Sequence, residues 1–474
     1  MATDHFPNST PSIPASLPHL KIFTMFRLGL FQAGLGIMSL LTLGVLNRVM
    51  IKELAIPATI VAGAIAMHQI VAPARVWFGQ MSDAKPILGY HRTGYVWIGS
   101  ALFTIVSFLA VQVVWQLGNS VETYGWTAPT YGWIGLLAFV FALYGIALSS
   151  SSTPFAALLV DISDEDNRPK LVGIVWSMLM VGIIVGAIIT GGLLKAIDLD
   201  TPLDVVQASI NRIFTIIPAV VFGLTLIATF GIEKKYSRYQ TRSALVDRED
   251  QITLGRALKV LTASRQTGLF FVFLLVMTIC LFFQEPILEP YGGEVFGMTI
   301  AETTKLNAFW GSGTLIGLSF TGFLIVPRLG KKNTTKLGCF LVAASFILII
   351  LAGLTRTPAM LRTAVLVLGF ASGITTTGAL SLMLDLTAAE TAGTFIGAWG
   401  LSQALARATA TVAGGALLDL GRSFLSTPIL AYGLVFAMPI FGMMLAVRLL
   451  SRVNVQEFQI EAKAAIAKVM EQEL

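Results

Sequence analysis

Long apolar stretches separated by short polar segments make up most of this chain. Twelve of them are about 20 residues long, the length that an α-helix needs to cross the ~30 Å hydrocarbon core of a membrane. The pattern predicts spans at residues 28–50, 58–81, 94–117, 132–159, 170–195, 212–232, 267–288, 305–326, 336–354, 361–384, 392–418 and 426–449. We therefore expect an all-α polytopic membrane protein with twelve transmembrane helices.

The twelve spans form two related halves. The segment "GIALSSSSTPFAALLVDISDE" from Gly145 aligns without a gap with "GFASGITTTGALSLMLDLTAA" from Gly369. A hydrophilic stretch separates the sixth span from the seventh, so we predict a tail, a six-helix bundle, a linker, a second six-helix bundle and a second tail, at residues 1–26, 27–232, 233–265, 266–450 and 451–474. Parallel repeats of six helices are typical of the major facilitator superfamily fold.

Charge supports a membrane location and predicts an orientation. Only 12% of the 474 residues are charged, against about 25% in a soluble domain. If the N-terminus is cytoplasmic, one side of the membrane holds 22 Lys and Arg residues, and the other side holds 8, Arg48 among them. Because positive residues concentrate in cytoplasmic loops, we expect both termini and the linker on the cytoplasmic side.

Polar residues inside the spans indicate a cavity between the halves. His68 and Arg75 are seven residues apart in the second span, so they share one helix face with small residues. A charge at mid-membrane costs ~2.5–3.5 kcal/mol and must face protein or water, so this face is predicted to point inward. Further candidates for the cavity wall are Gln32, Gln69, Glu285, Gln403 and Arg407.

The second span stops abruptly at the polar segment "GQMSDAKPILGYHR", which contains Gly79, Asp83 and Arg92. It predicts a tight interfacial turn in which Asp83 caps a helix or pairs with Arg92, and which latches the halves on the inside. A plain solvated turn is the alternative. Asp161 and Asp385 end the fourth and tenth spans at equivalent repeat positions, so we expect both to cap or clamp the loops that follow.

No catalytic or nucleotide-binding constellation is present in the sequence. There is no Walker loop, no histidine-rich cluster and no Ser–His–Asp candidate in one compartment, and the two cysteines lie in apolar runs. We therefore expect no enzymatic activity, no nucleotide cofactor, no metal site made by protein ligands alone and no nucleic-acid partner.

Two segments carry a family resemblance. "FRLGLFQAGLGIMSLLTLGVLNRVMIKEL" and "APARVWFGQMSDAKPILGYHRTGYVWIG" resemble the PucC/LhaA group, the bacteriochlorophyll-delivery branch of the major facilitator superfamily. The variant "HRTGYVWIG" is more similar to cyanobacterial relatives than to purple-bacterial ones. The positions that match the family motif are Asn47, Arg48, Arg75, Trp77, Phe78, Gly79, Asp83, Gly89, Arg92 and Tyr95.

The resemblance implies a role in assembling pigment–protein complexes. It implies that the chain holds chlorophyll or bacteriochlorophyll and hands it to light-harvesting or photosystem polypeptides, with chlorophyll-synthesis enzymes as further partners. It also implies a photosynthetic membrane, either thylakoid or intracytoplasmic. The alternatives are a secondary transporter that moves a small solute by alternating access, and a structural subunit that retains the fold as a scaffold.

Each buried candidate has two interpretations. His68 is either an axial ligand to the magnesium of the pigment, through a neutral ring nitrogen, or a histidine hydrogen-bonded to a neighbouring helix. Arg75 or Arg407 either holds an acidic group of the ligand or forms an interhelical ion pair, for which Glu285 and Glu289 are the candidate partners of Arg407.

Overall fold

The computed structural model describes residues 20–163, 168–198, 200–237, 265–386 and 392–454. Its main helices are α1 (Ile22–Glu53), α2 (Ala58–Ile70), α3 (Ala74–Ala84), α4 (Thr93–Tyr124), α5 (Ala128–Ile162), α6 (Arg168–Leu193), α7 (Leu203–Thr229), α8 (Arg265–Phe282), α9 (Leu288–Phe296), α10 (Ile300–Phe320), α11 (Lys331–Thr355), α12 (Pro358–Leu386), α13 (Ala392–Phe424) and α14 (Pro428–Arg452). We call α1–α7 the N-terminal half and α8–α14 the C-terminal half. Most of the predicted linker and tails lies outside the described residues, although α1 already begins at Ile22, inside the predicted tail.

Eight helices in the described part are long and apolar enough to cross a membrane by themselves, namely α1, α4, α5, α6, α7, α11, α12 and α14. The other four predicted spans coincide with the pair α2 and α3, the pair α8 and α9, α10, and α13. In these spans the helix is interrupted or polar residues are more frequent, so the continuous apolar stretch is shorter. The all-α membrane architecture is thus present, and the count of twelve spans stays a prediction.

The second predicted span is broken rather than continuous. Its α2 part ends at Ile70, a turn follows at residues 71–73, and α3 begins at Ala74. Pro73 lacks a backbone N–H and its ring clashes with a helical carbonyl, which accounts for the break. A seven-residue spacing across a break does not by itself preserve a shared face. The expectation that His68 and Arg75 share one inward face stays a prediction, and both residues lie within electrostatic range of Arg407 on α13.

Two helix pairs make the most extensive contacts between the halves, α2 with α13 and α6 with α10. The sequence repeat relates these pairs to each other, since α2 corresponds to α10 and α6 to α13. Gly415 of α13 lies so close to Ala58 and Ala62 that a Cβ at this position would meet their atoms at about 2.5 Å. Small residues thus allow the halves to approach closely in this region.

Large apolar side chains cover the outside of the bundle. Exposed examples from both halves are Phe139, Ile188, Ile227, Phe230, Phe424, Met438 and Phe441. Water would disfavour so much apolar surface, whereas lipid tails solvate it. The protein is accordingly an integral membrane protein, with its polar side chains directed toward its own interior and ends.

Candidate functional site

Arg48 joins the two halves near the end of α1. Its side chain is fully buried, and its guanidinium donates hydrogen bonds to the carbonyl oxygens of Met298 and Thr299, each at 2.9 Å. It also donates to the hydroxyl of Thr303, and the carboxylate of Glu53 lies 3.6 Å from it. Three of these acceptors belong to the C-terminal half: Thr303 lies near the start of α10, and Met298 and Thr299 immediately precede this helix. The contact therefore crosses between the halves. We call Arg48 and these three acceptors the Arg48 junction.

The local shape of α1 positions this arginine. Two π-helical stretches, Leu40–Val45 and Val49–Glu53, lie on either side of Asn47 and Arg48. A π-helical turn contains an extra residue and changes the direction of the side chains that follow, and such turns are frequent at functional sites. The charge count places Arg48 with the positive residues of one membrane face, and that placement stays a prediction. The structure shows in addition that its side chain is buried between the halves.

Two further contacts cross between the halves on the same side as the Arg48 junction. The side-chain amide of Asn47 donates to the carbonyl oxygen of Pro286 at 2.7 Å. The carboxylate of Asp419 on α13 accepts from the backbone amides of Ala58 and Thr59, at 3.1 and 2.7 Å. Asp419 therefore caps the N-terminus of α2, where a carboxylate satisfies free amides and matches the helix dipole. The halves are held together on this side by polar contacts.

A cavity of about 60 Å³ lies between the halves beside the Arg48 junction. The side chains in its polar wall are Ser39, Gln284, Glu285, Glu289, Asn307 and Trp310. Asn307 donates to one carboxylate oxygen of Glu289 at 2.6 Å, while the other oxygen and Nε1 of Trp310 lack a hydrogen-bond partner among the described residues. One water occupies ~10–15 Å³ of such space, so the cavity has room for a few waters and not for a tetrapyrrole.

Arg75 and Arg407 lie on helices of different halves, α3 and α13. Arg75 is exposed at the start of α3, and it lies within electrostatic range of Arg407 on α13. The guanidinium of Arg407 stacks on the ring of Phe282, 3.7 Å from its centroid. Glu285 is also within electrostatic range of Arg407, yet no ion pair joins Arg407 to Glu285 or to Glu289 in the described residues. The interhelical ion pair considered for Arg407 is absent from this part of the chain.

His68 lies where α2 packs against α5, and it is within electrostatic range of Arg407 on α13. It is buried, its backbone packs against Gly145 of α5, and its ring meets the ring of Tyr144 edge-on, with centroids 6.4 Å apart. Nδ1 donates to the carbonyl oxygen of Ile65 at 2.5 Å, and Nε2 accepts from the side-chain amide of Gln69 at 2.7 Å. Both ring nitrogens are engaged within α2. A magnesium ligand role would require Gln69 to release Nε2.

The polar turn after α3 is organised around Arg92. Its Nε donates to the carboxylate of Asp161 at 2.8 Å, and Nη1 donates to the hydroxyl of Ser82 at 2.6 Å. The carboxylate of Glu233 accepts from the backbone amides of residues 91–93 and so caps α4. We call Ser82, Arg92, Asp161 and Glu233 the Arg92 cluster. All four belong to the N-terminal half and its end, and the expected latch between the two halves at this turn stays a prediction.

The remaining predicted residues are scattered. Gln32 is buried in α1, Gln403 is half-buried on α13 four residues before Arg407, and Gly79 lies against Thr153 of α5. The side chains of Asp83 and Asp385 lie outside the described part of the structure, so their predicted capping and clamping roles stay predictions.

Sequence reasoning missed the contacts that join the halves. Arg48 was noted in the charge count and as part of a motif, although an Asn–Arg pair closing an uninterrupted apolar run is itself a signal of buried polar partners. Asp419 gave no comparable signal, because its partners are backbone amides and the nearer of them is 360 residues away. Glu233 was assigned to the linker, and its capping role depends on the folded ends of α4 and α7.

Comparison with known proteins decides the family. A sequence profile described as "PUCC protein" matches residues 45–458. The chain belongs to this family. It is 31% identical over 421 residues to the bacteriochlorophyll synthase 44.5 kDa chain of Rhodobacter capsulatus, covering 87% of this chain and 91% of that protein. It is 29% identical to Protein PucC of Rhodobacter capsulatus, covering 94% of this chain and 95% of that protein. The family resemblance drawn from the sequence is confirmed.

Solved structures of membrane transporters share the fold of this PUCC-family protein. The nucleoside transporter NupG superposes with a TM-score of 0.65 at 13% identity, over 91% of this chain and 98% of that one. A bacterial homologue of the iron transporter ferroportin, in an inward-facing state, superposes with a TM-score of 0.64 at 13% identity, over 92% of this chain and 99% of that one. The major facilitator superfamily fold predicted from the sequence repeat is therefore confirmed.

Proposed function

We propose that this PUCC-family protein is a non-enzymatic assembly factor that holds chlorophyll or bacteriochlorophyll in the membrane and delivers it to light-harvesting or photosystem polypeptides. The observation that carries the proposal is the family match together with a relative named as a bacteriochlorophyll synthase chain. Another relative, 28% identical, is named for its place in the puhA–bchM intergenic region of Rhodobacter capsulatus. A photosynthetic membrane, and contact with chlorophyll-synthesis enzymes, are part of the same proposal.

The fold supports carriage rather than catalysis. Its structural neighbours are transporters, whose two halves enclose a ligand and expose it to alternate sides. A chlorophyll is flat, apolar and resident in the membrane, so it needs an apolar groove, one axial ligand and access from lipid. The cavity beside the Arg48 junction is too small for it. The proposal therefore requires the pigment to bind elsewhere on the protein, or to bind after the halves separate.

Purification from a phototrophic bacterium tests the proposal. We expect the full-length protein, extracted in a mild detergent, to carry bound pigment visible in its absorption spectrum and to co-purify with antenna or photosystem polypeptides. The control is an unrelated transporter of the same fold, purified from the same cells. Its pigment content gives the amount that co-purifies with any membrane protein. A colourless preparation without photosynthetic partners, equal to this control, would refute the proposal.

The histidine offers a sharper prediction about the ligand. If His68 binds the magnesium, Gln69 competes with the pigment for Nε2. Gln69→Leu should therefore raise the bound pigment per protein, and His68→Phe should lower it, because only the first variant leaves a free imidazole nitrogen. Pigment content per protein, measured after extraction, checks both. Equal pigment in both variants and in the parent would remove His68 as the axial ligand.

A second function has one specific observation in its favour. The polar cavity between the halves, lined by Glu285, Glu289 and Asn307, has the size and chemistry for a small hydrated solute or ion rather than a pigment. A secondary transporter would use such a site. The test uses the pigment-free protein in liposomes. If it takes up or exchanges a small solute and Glu289→Gln abolishes this activity, transport is favoured over delivery.

A further inference from the structure

We propose that the polar cavity beside the Arg48 junction binds one sodium ion. The inference does not depend on pigment delivery, and it names a ligand for the cavity that the second function would use. Both halves line this cavity of about 60 Å³: Ser39 comes from α1, and Gln284, Glu285 and Glu289 come from the C-terminal half. A sodium ion held among these side chains would therefore contact both halves.

A break in the seventh predicted span forms one wall of the cavity. The helix α8 ends at Phe282, residues 283–287 form turns, and α9 begins at Leu288. Non-helical backbone at membrane depth is tolerated where it is buried in protein or lines a water-filled cavity. In transporters with broken helices, unwound carbonyls and the C-terminal ends of half-helices coordinate Na⁺. Gln284 and Glu285 lie in this break and line the cavity, so the span has the same construction.

Glu289 provides the observation that points to a ligand. Its side chain lines the cavity and is only 2% exposed. Oε1 accepts from the side-chain amide of Asn307 at 2.6 Å and lies against Gly44 of α1, where a Cβ would collide with it. Oε2 is buried without a hydrogen-bond partner among the described residues. A buried carboxylate oxygen without a partner is costly, and a cation or its water would satisfy it.

The charge of the cavity wall favours a cation. The residues that line it include two carboxylates, Glu285 and Glu289, and no basic side chain. Arg48 lies close by, against Gly293 of α9, but its donors are bonded across the Arg48 junction and Glu53 is 3.6 Å from it. A negative ligand would meet both carboxylates in a poorly hydrated setting, whereas a cation compensates them.

The available donors favour a monovalent ion that prefers oxygen. The hydroxyl of Ser39 donates to the carbonyl of Gly36 at 2.9 Å, which leaves its lone pairs as acceptors. The described residues contain no group of three or more His, Cys, Asp or Glu side chains that could hold a metal ion. Zinc prefers nitrogen and sulfur ligands, and calcium takes about six to eight oxygens. Sodium needs fewer charged ligands, and water bonded to the free Nε1 of Trp310 would share the cavity with it.

Sodium binding to the purified protein tests the site. The full-length chain, made in a host without chlorophyll and placed in nanodiscs, is titrated with radiolabelled sodium, while N-methylglucamine chloride keeps the ionic strength constant. We expect saturable binding by the parent. Glu289→Gln should weaken it at least about tenfold, because one of two charged ligands is removed. Ser39→Ala removes one neutral oxygen from the other half and should weaken it by a smaller factor. Sodium should also raise the unfolding temperature of the parent but not of Glu289→Gln.

The matched control is Glu122→Gln, the same change at an exposed glutamate near the end of α4, and it should bind sodium as the parent does. Gel filtration establishes that each variant is monodisperse, and Ser39→Ala keeps the test decisive if Glu289→Gln does not fold. Absence of sodium binding by the parent refutes the site. Binding by Glu289→Gln and Ser39→Ala that is as tight as that of the parent refutes it equally.

A pH series separates sodium from a proton on the same carboxylate. Glu285 and Glu289 are the titratable side chains of the cavity wall, and protons compete with a cation for both. Sodium binding should therefore tighten as the pH rises. If sodium leaves the unfolding temperature of the parent unchanged, and this temperature falls with rising pH in the parent but not in Glu289→Gln, Glu289 holds a proton and the sodium site is refuted. No pigment is present in these experiments, so pigment delivery stands or falls on its own test.

Discussion

Replacing Arg48 by methionine is expected to open the protein on the side where the Arg48 junction now holds the halves together. Methionine is unbranched and has no donor, so the carbonyl oxygens of Met298 and Thr299 and the hydroxyl of Thr303 lose their bonds to the guanidinium. A buried acceptor left without a donor costs about 1–3 kcal/mol, and the carbonyl oxygen of Thr299 costs less because it keeps the backbone N–H of Thr303, whereas water satisfies these groups once the halves part. We expect the closed arrangement to lose about 3 kcal/mol, roughly a hundredfold in the closed-to-open ratio.

Thiol labelling measures this change. Leu43→Cys adds a cysteine in the cavity wall next to the junction, and the native Cys280 and Cys339 are both buried. A membrane-impermeant thiol reagent is applied from the side of the membrane on which Arg48 lies. It should label the Leu43→Cys variant slowly and the double variant Leu43→Cys, Arg48→Met much faster. Arg48→Lys should fall between, because an ammonium keeps the charge but cannot reach the same acceptors as a planar fork.

The control is Arg356→Met, the same chemical change at an exposed arginine, which should leave the labelling rate unchanged. Gel filtration establishes that each variant remains monodisperse. If the double variant Leu43→Cys, Arg48→Met is labelled no faster than Leu43→Cys alone, the junction does not hold the halves. The three hydrogen bonds would then be incidental to a closure maintained by packing, such as the close approach of Gly415 to α2.

The sequence predicted the fold well because the bilayer restricts the choices. With no water to satisfy the backbone, apolar runs of membrane-spanning length must be helices, so their number and spacing carry most of the architecture. The repeat between Gly145 and Gly369 added the two-half layout, which reappears as the matched contacts of α2 with α13 and α6 with α10. The apolar pattern did not indicate where a span is interrupted. Pro73 divides the second predicted span into α2 and α3.

The candidate site was harder to predict because its partners are distant and are often backbone atoms. Arg48 bonds to two carbonyl oxygens about 250 residues later in the chain, and a carbonyl has no sequence signature. Arg92 has acidic residues both near and far along the chain, and only the fold decides that Asp161 is within reach. By contrast, Arg75 and Arg407 stand out in the sequence, since any cation in an apolar run is conspicuous.

The Arg92 cluster carries the second large effect, which concerns stability. The side chains of Arg92 and Asp161 are only 6% and 9% exposed, and their charged atoms are 2.8 Å apart. Asp161→Asn keeps the shape of the side chain but leaves the guanidinium buried beside a neutral group. Removing one member of a buried pair costs about 3–5 kcal/mol because the other charge loses its compensation. We expect Asp161→Asn and Arg92→Gln each to lower markedly the temperature at which the detergent-solubilised protein loses its monodisperse peak.

The double variant Arg92→Met, Asp161→Leu decides whether the two charges act as a pair. Because it removes both charges and fills the space with apolar groups, it should be distinctly more stable than the sum of the single effects predicts. Arg362→Gln, which breaks an exposed pair with Glu302 at 3.3 Å, is the control and should cost less than about 1 kcal/mol. Additive losses in the double variant would mean that the residues support α3 and α5 independently. If the double variant is more stable than the sum of the single effects predicts, this pair is the contact that fixes the polar turn between α3 and α4.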